Sequence, residues 1–320
     1  MKILAAHLKG FIDYALLKGM SSASMLAVLQ LKSFPSHDAK VNVLEKEFYA
    51  LIELIAQHLD DELLGLRVGQ QLNLNTLGVV YKISLRTKTM KEALHYCHSF
   101  LQKTFPPINI TRTMNSGDIA FTLTLKSKKP LVSRIILETV LCVMAREIEA
   151  IAGSTTAVTL YSPFKTKDYP PHWKKSEAFK VVFRVHQNIP KRTDYWGLDM
   201  LIPEYLSLIE SMKTENSFPC CIKISALKMA QPKLPNLEMI AYNLNIKTRT
   251  LQRKLMNEGT SYRKLSEELK QDISELLLRH EQFSIADISS ILGYAEPAAF
   301  IHSFCKWHGK SPSQARGSMI

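Results

Sequence analysis

The chain has 320 residues, 46% of them hydrophobic and 22% charged, with a formal net charge of +12. That length has room for two domains with cores of their own, and the balance excludes a disordered or low-complexity chain. The basic excess, with a pI of about 9.4, favours an anionic partner such as nucleic acid without naming one.

Residues 3 to 31 carry apolar side chains at threes and fours, which predicts helix with a break near Lys18-Gly19. Met1 to Met20 mix Lys2, Lys9, Asp13 and Lys18 with the apolar residues, so they lack the clean apolar core of a signal peptide. No uninterrupted apolar run is long enough to cross a bilayer, and a cytoplasmic protein with no membrane partner is expected. Ser33-Phe34-Pro35-Ser36 interrupts the pattern. From Val43 to Leu59, residues Leu44, Phe48, Leu51, Ile52 and Ile55 form one apolar helical face, and Asp60-Asp61-Glu62 starts a further turn. Thr89 to Phe105 reads as another helix, with Thr89 as N-cap and Glu92 as its capping-box partner.

The period then changes. Ile108 to Thr113 and Ile119 to Leu125 alternate as strands do, and Asn115-Ser116-Gly117-Asp118 supplies turn chemistry, which predicts a β-hairpin. Pro130 opens a long helix, Leu131 to about Ile151, ended by Gly153. Ala157 to Tyr161 and Phe179 to Val185 read as two more strands, separated by a loop from Ser162 to Lys175. The expected fold of residues 1–210 is therefore α+β, helices plus a small antiparallel sheet. Residues 211–219, polar and ending in Pro219, are the expected linker, and residues 220–320 read as all-helical.

In that last segment Leu237 to Leu244 forms a short helix, Asn245-Ile246 a tight turn, and Thr248 to Glu258 a second helix ended by Gly259. This is the size and pattern of a helix-turn-helix. The pattern recurs. Ile285 to Leu292 follows Ser284 as N-cap, Gly293-Tyr294-Ala295 turns, and Glu296-Pro297 starts a helix through Trp307. Tyr262 to His280 is an almost unbroken helical stretch between the two. Such a connector spans about 30 Å, against about 34 Å for one turn of B-DNA. The expected C-terminal domain is thus two helix-turn-helix units joined by a long helix, able to reach successive major grooves.

The runs Arg249-Thr250-Leu251-Gln252-Arg253-Lys254-Leu255, Glu258-Gly259-Thr260-Ser261-Tyr262, Ile285-Ala286-Asp287-Ile288 and Leu292-Gly293-Tyr294 strongly resemble the AraC/XylS family of regulators. So do Ala299-Phe300, Phe304, Trp307, Gly309, Ser311-Pro312-Ser313 and Arg316. The N-terminal half is similar to the arabinose-binding-like effector and dimerisation domain of one branch of that family. The matching runs are Asp60-Asp61, Leu64-Gly65-Leu66-Arg67-Val68-Gly69, Leu77-Gly78, Met90 and Glu92-Ala93-Leu94. Near Phe179 to Leu201 only Phe183 and Leu198-Asp199 fit.

The resemblance implies a bacterial transcription regulator whose partners are double-stranded promoter DNA, a small-molecule effector, a second copy of the chain and, in an activator, RNA polymerase. The candidate DNA-binding residues are Thr248, Arg249, Gln252 and Arg253 in the first unit and Glu296, Ala298, His302 and Lys306 in the second. Arg pairs with guanine O6/N7 and Gln with adenine N6/N7; Arg253 suits phosphate as well as base, and Lys306 suits phosphate. The family often has a hydroxyl residue at Ala295 and Arg at His302, so the second unit is the poorer reader. Charge agrees: residues 246–264 hold six basic residues and one acid, net +5, and residues 265–320 five basic and seven acidic, net −2. Leu251, Leu255, Phe300, Phe304 and Trp307 are expected in the core. Lys247 stands where a capping Ser is common and cannot cap its helix.

Other chemistry finds little support. Cys97, Cys142, Cys220, Cys221 and Cys305 include no C-x-x-C pair, and reduced thiols are expected. His95 and His98 are three apart but have no further ligand in view, so an amphipathic helix carrying two histidines is the plainer account. No phosphate loop, G-x-S-x-G or H-E-x-x-H occurs. No cofactor, metal or catalytic residue is expected, and no residue is assigned to the effector. Two alternatives stay open: an N-terminal domain that only dimerises or binds protein, and an enzyme or cofactor sensor fused to a DNA anchor.

Overall fold

The computed structural model describes residues 1–34, 41–71, 95, 99, 105, 107–115, 117–152, 157–184, 208–209, 211–212, 217–230 and 233–317. The chain divides into two compact units, Met1–Tyr195 and Trp196–Ile320.

The first unit begins with a strand where helix was expected. β1 (Lys2–Leu4) pairs antiparallel with β2 (Asn42–Leu44), Ile3 opposite Val43, and both side chains are buried. Tertiary pairing overrides a helical period here because three residues are too few for a helix to form unaided. A 3₁₀ turn (Ala5–Leu8) leads into α1 (Lys9–Leu17). The expected break follows at Lys18-Gly19, where Gly19 takes φ +88°, a conformation that costs glycine nothing. α2 (Ser22–Leu29) is capped by Ser21, whose hydroxyl accepts from Ala23 N. α3 (Glu45–Leu59) buries the expected face of Phe48, Leu51, Ile52 and Ile55.

After Asp60, α4 (Leu64–Gln71) lies against α5 (Pro130–Ala152). Two glycines permit that approach. A Cβ at Gly65 would sit 2.5 Å from Ile135 O, and one at Gly69 would sit 2.5 Å from Cys142 Cβ. The Asp61–Arg67 ion pair, 2.7 Å, is buried at the start of α4. Glu138, fully buried on α5, accepts from Arg134 Nε at 3.0 Å and from the Tyr169 hydroxyl. Arg134 also donates to Glu62 O at 2.9 Å, so one network ties α5 to the turn before α4 and to the loop carrying Tyr169. Burial holds the Glu138 carboxyl above its usual range against the opposing pull of Tyr169 and Arg134.

The hairpin forms as read: β3 (Ile108–Asn115) pairs with β4 (Asp118–Leu125), and Gly117 takes φ +90° in the turn. β5 (Val158–Ser162) and β7 (Phe179–Arg184) are also where the alternation puts them. The sheet order is β3-β4-β7-β5-β6, with α5 against β4, β5 and β7. One expectation is corrected. The sheet is mixed, because β6 (Trp173–Lys175), inside the segment read as loop, pairs parallel with β5. Three residues give too short an alternation to read. What fixes β6 is Trp173, which is fully buried with its ring 5.3 Å from that of Tyr169.

Most of the expected Thr89–Phe105 helix lies outside the described residues, including Thr89, Glu92, Cys97 and His98; His95 and Ser99 are helical. Leu77-Gly78, Met90, Ala93-Leu94, Gly153 and Leu198-Asp199 also lie outside them. Among the described residues, Cys142, Cys221 and Cys305 are free thiols, no cluster of ligands could hold a metal, and no helix is long and apolar enough to cross a membrane.

The second unit is helical throughout its described part: α6 (Phe218–Met229), α7 (Leu237–Asn243), α8 (Thr248–Asn257), α9 (Tyr262–Leu278), α10 (Ile285–Ile291), α11 (Pro297–His308) and α12 (Pro312–Gly317). Pro219 stands in the first turn of α6, where its missing N–H costs no hydrogen bond, and Ser217 caps that helix through Cys220 N.

Candidate nucleic-acid interface

The first candidate helix is built on two leucines. Leu251 and Leu255 are fully buried on α8, one turn apart, against α7 with its buried Ile240 and Ala241. Asn236 caps α7 by accepting from Met239 N at 2.8 Å. Asn245 then takes a left-handed φ of 52°, and Ile246 N returns to Ala241 O at 3.1 Å, which makes the tight turn. Seating the leucines leaves Arg249, Gln252 and Arg253 exposed, with Thr248 half-buried at the first position. All four candidates of this pair therefore stand on one α-helix, three of them in solvent. Lys247 occupies the N-cap and makes no side-chain cap hydrogen bond, as its chemistry requires. Gly259, at φ +70°, ends the helix turn, and Thr260 N bonds Leu255 O at 3.0 Å.

α9 follows, capped by Ser261, which accepts from Lys264 N at 3.3 Å. Its apolar stripe of Leu265, Leu269, Ile273 and Leu277 is buried. It has 17 residues, so its length is about 25 Å, shorter than the 30 Å expected. The helix stops at Leu278 because the chain must turn before Ser284. Arg316, on α12, collects the carbonyls this leaves: Nε donates to Leu278 O at 3.2 Å and Nη2 to Phe283 O at 2.7 Å.

α10 opens with a reciprocal cap: Asp287 N donates to Ser284 Oγ at 3.1 Å, and Ser284 N to Asp287 Oδ2 at 2.8 Å. Gly293 turns at φ +80°. Glu296 is the N-cap of α11, with Pro297 in its first turn. Phe300 and Phe304 are buried, as expected. Trp307 is only half-buried, a correction: its position on α11 puts it at the edge of the core, where it lines a groove. Glu296, Ala298, His302 and Lys306 are all exposed.

The sequence reading missed that groove. It encloses about 550 Å³ between the segment before α7, the N-terminal half of α9, and α11. His302 and Lys306 form part of one wall, and Arg263, Glu267 and Lys270 part of the other. Its residues come from four separated stretches, so no local spacing announces it. The same applies to the role of Arg316, whose partners lie more than thirty positions away.

Residues 19–167 match the arabinose-binding domain found at the N-terminus of AraC transcription regulators, and residues 240–318 match a helix-turn-helix domain. An uncharacterised HTH-type transcriptional regulator of Mycobacterium tuberculosis is 25% identical over 93% of this chain and 91% of its own. The HTH-type transcriptional regulator VqsM of Pseudomonas aeruginosa is 36% identical over 84 residues, 26% of each chain. The crystal structure of the transcriptional regulator CdpR from Pseudomonas aeruginosa is similar at a TM-score of 0.37 and 20% identity, over 92% of this chain and 96% of that one. With both domain types found in their order along one chain, and relatives that are themselves HTH-type regulators, this protein is a DNA-binding transcription regulator of the AraC/XylS family.

Proposed function

We propose that α7–α8 and α10–α11 act as two helix-turn-helix units on the connector α9, and that α8 and α11 enter successive major grooves of promoter DNA. In this reading Arg249 and Gln252 read base edges. Thr248, Arg253 and Lys306 hold phosphates, and Glu296, Ala298 and His302 face the second groove. The observation that carries the reading is the exposed polar row of Arg249, Gln252 and Arg253, raised on the fully buried pair Leu251 and Leu255. The first unit supplies most of the sequence reading, supported by its net charge of +5 across residues 246–264.

Residues 1–210 serve as the effector and dimerisation part, residues 211–219 as linker, and residues 220–320 as the DNA-binding part. A small molecule held by the N-terminal part shifts how the C-terminal part engages DNA, through its different affinity for two states of the regulator. The match of residues 19–167 to an arabinose-binding-type domain supports this.

The test is genome-wide mapping of the DNA bound by the full-length protein, then binding of the recovered sites in vitro with and without metabolites suggested by the adjoining genes. Two protected half-sites about one helical turn apart are expected. A single short half-site, insensitive to substitutions in α11, would overturn the two-unit reading. A full metabolite screen that moves neither affinity nor thermal stability would remove the effector.

A further inference from the structure

The groove beside α9 has a composition that reading bases does not require. Arg263, Lys270 and Lys306 line it with His302, and Glu267 is the opposing acid. Glu267 pairs with Arg263 at 3.4 Å, but both side chains are largely exposed, so water weakens their hold on each other. Lys270 is placed with more care. It rises from α9 so that its Nζ lies 4.5 Å from the centre of the Tyr294 ring, a cation–π contact that holds a half-buried ammonium in the groove. Burial lowers the Lys270 pKa from its usual value, so an anion beside it restores what the ammonium loses by leaving water.

The groove is continuous with the candidate interface, because His302 and Lys306 belong to both. In the two-unit reading, DNA spanning both units passes alongside α9. α9 is about 25 Å long and a duplex turn about 34 Å, so α9 is of the length to run beside the stretch of duplex between the two grooves.

We propose that this groove grips the sugar-phosphate backbone between the two half-sites, with Arg263 and Lys270 as phosphate ligands beside Lys306. The proposal rests on the two-unit reading above. Its consequence is a part of the affinity that ignores sequence and sits midway along the site, apart from the bases read by α8. Cations from α9 and α11 on one backbone path would also fix the distance between the two recognition helices on the duplex.

The test uses full-length protein and a duplex enriched by selection on it, with affinity measured from 50 to 200 mM salt. Each lost phosphate contact lowers the slope of log affinity against log salt by about 0.9. The advantage of wild type over Lys270→Gln or Arg263→Gln should therefore narrow about 3.5-fold across that range, and over the double variant about twelvefold. The ratio of affinities for the selected duplex and a one-base mismatch should stay unchanged. Lys270→Arg, which keeps the charge, should keep the wild-type slope. Wild-type slopes in the Gln variants would overturn the proposal while leaving the regulator reading intact. So would weaker binding at unchanged slope, which would mark Lys270 as merely packing Tyr294. Wild-type protein that ignores duplexes at 50 mM salt would sink both readings together.

Discussion

Replacing Arg316 by alanine tests whether the second helix pair is held in place by the end of the connector. The guanidinium makes two charge-assisted hydrogen bonds, 3.2 Å to Leu278 O and 2.7 Å to Phe283 O. Bonds to a charged donor contribute about 1.5–3 kcal/mol each. Arg316 is half-buried, so water would satisfy part of what is lost, and about 2–4 kcal/mol is the expected cost. That cost falls on the turn that orients α10 and α11. The assay is amide hydrogen exchange in full-length protein, with the amides of α10 and α11 as reporters of local opening. Exchange there should speed up by about 30- to 900-fold, at roughly 1.4 kcal/mol per decade, with α3 and α5 unchanged. Lysine at this position presents a single point of donation and should recover less than half the loss. A change smaller than threefold in α10 and α11 would refute the reasoning, because the connector end would then be held by its apolar contacts alone.

Alanine at Arg249 or Gln252 should weaken binding to a selected duplex by about 1–3 kcal/mol, measured by fluorescence anisotropy. His302→Ala should cost less, and the reverse order would remove the first unit from its leading role. Raised by burial, the Glu138 carboxyl binds its proton in the folded state at pH values where the unfolded chain has already released it. Stability should therefore fall as pH rises from the ordinary carboxylate value through the raised one. Urea midpoints across that window should flatten in Glu138→Gln, and a slope identical to wild type would contradict the assignment. Gly69→Ala places a Cβ 2.5 Å from Cys142 Cβ. Since neither helix backbone can step aside freely, a loss of about 1–3 kcal/mol in denaturant unfolding is expected; a neutral result would mean that the α4–α5 seam yields.

What could be read ahead of the structure follows from how local each signal is. Leu251 and Leu255 sit one turn apart on the helix they define, and Ser284 and Asp287 close their cap within three positions. Such features are written in the spacing, and so were the hairpin at Gly117 and the break at Gly19. β1 and β6 were illegible because three residues carry no period; each strand exists only through a partner, β2 from forty positions away and β5 across a ten-residue loop. Trp307 misled for a related reason: its spacing with Phe300 and Phe304 is helical, but it stands next to the last residue of α11, at the rim of the core rather than in it. The groove is the extreme case. Lys270 looks like any charge on an exposed helix until Tyr294 is folded beneath it.

The glycine seam between α4 and α5 carries one more implication. With the carbonyl of Ile135 and the Cβ of Cys142 occupying the places that side chains at Gly65 and Gly69 would take, the two helices have little slack to absorb a displacement. A nudge at one end of α5 would be carried along its 23 residues, about 34 Å, as by a stiff lever rather than a spring. In the proposed effector-controlled regulator, such a seam would pass on the small push of a bound molecule with little loss.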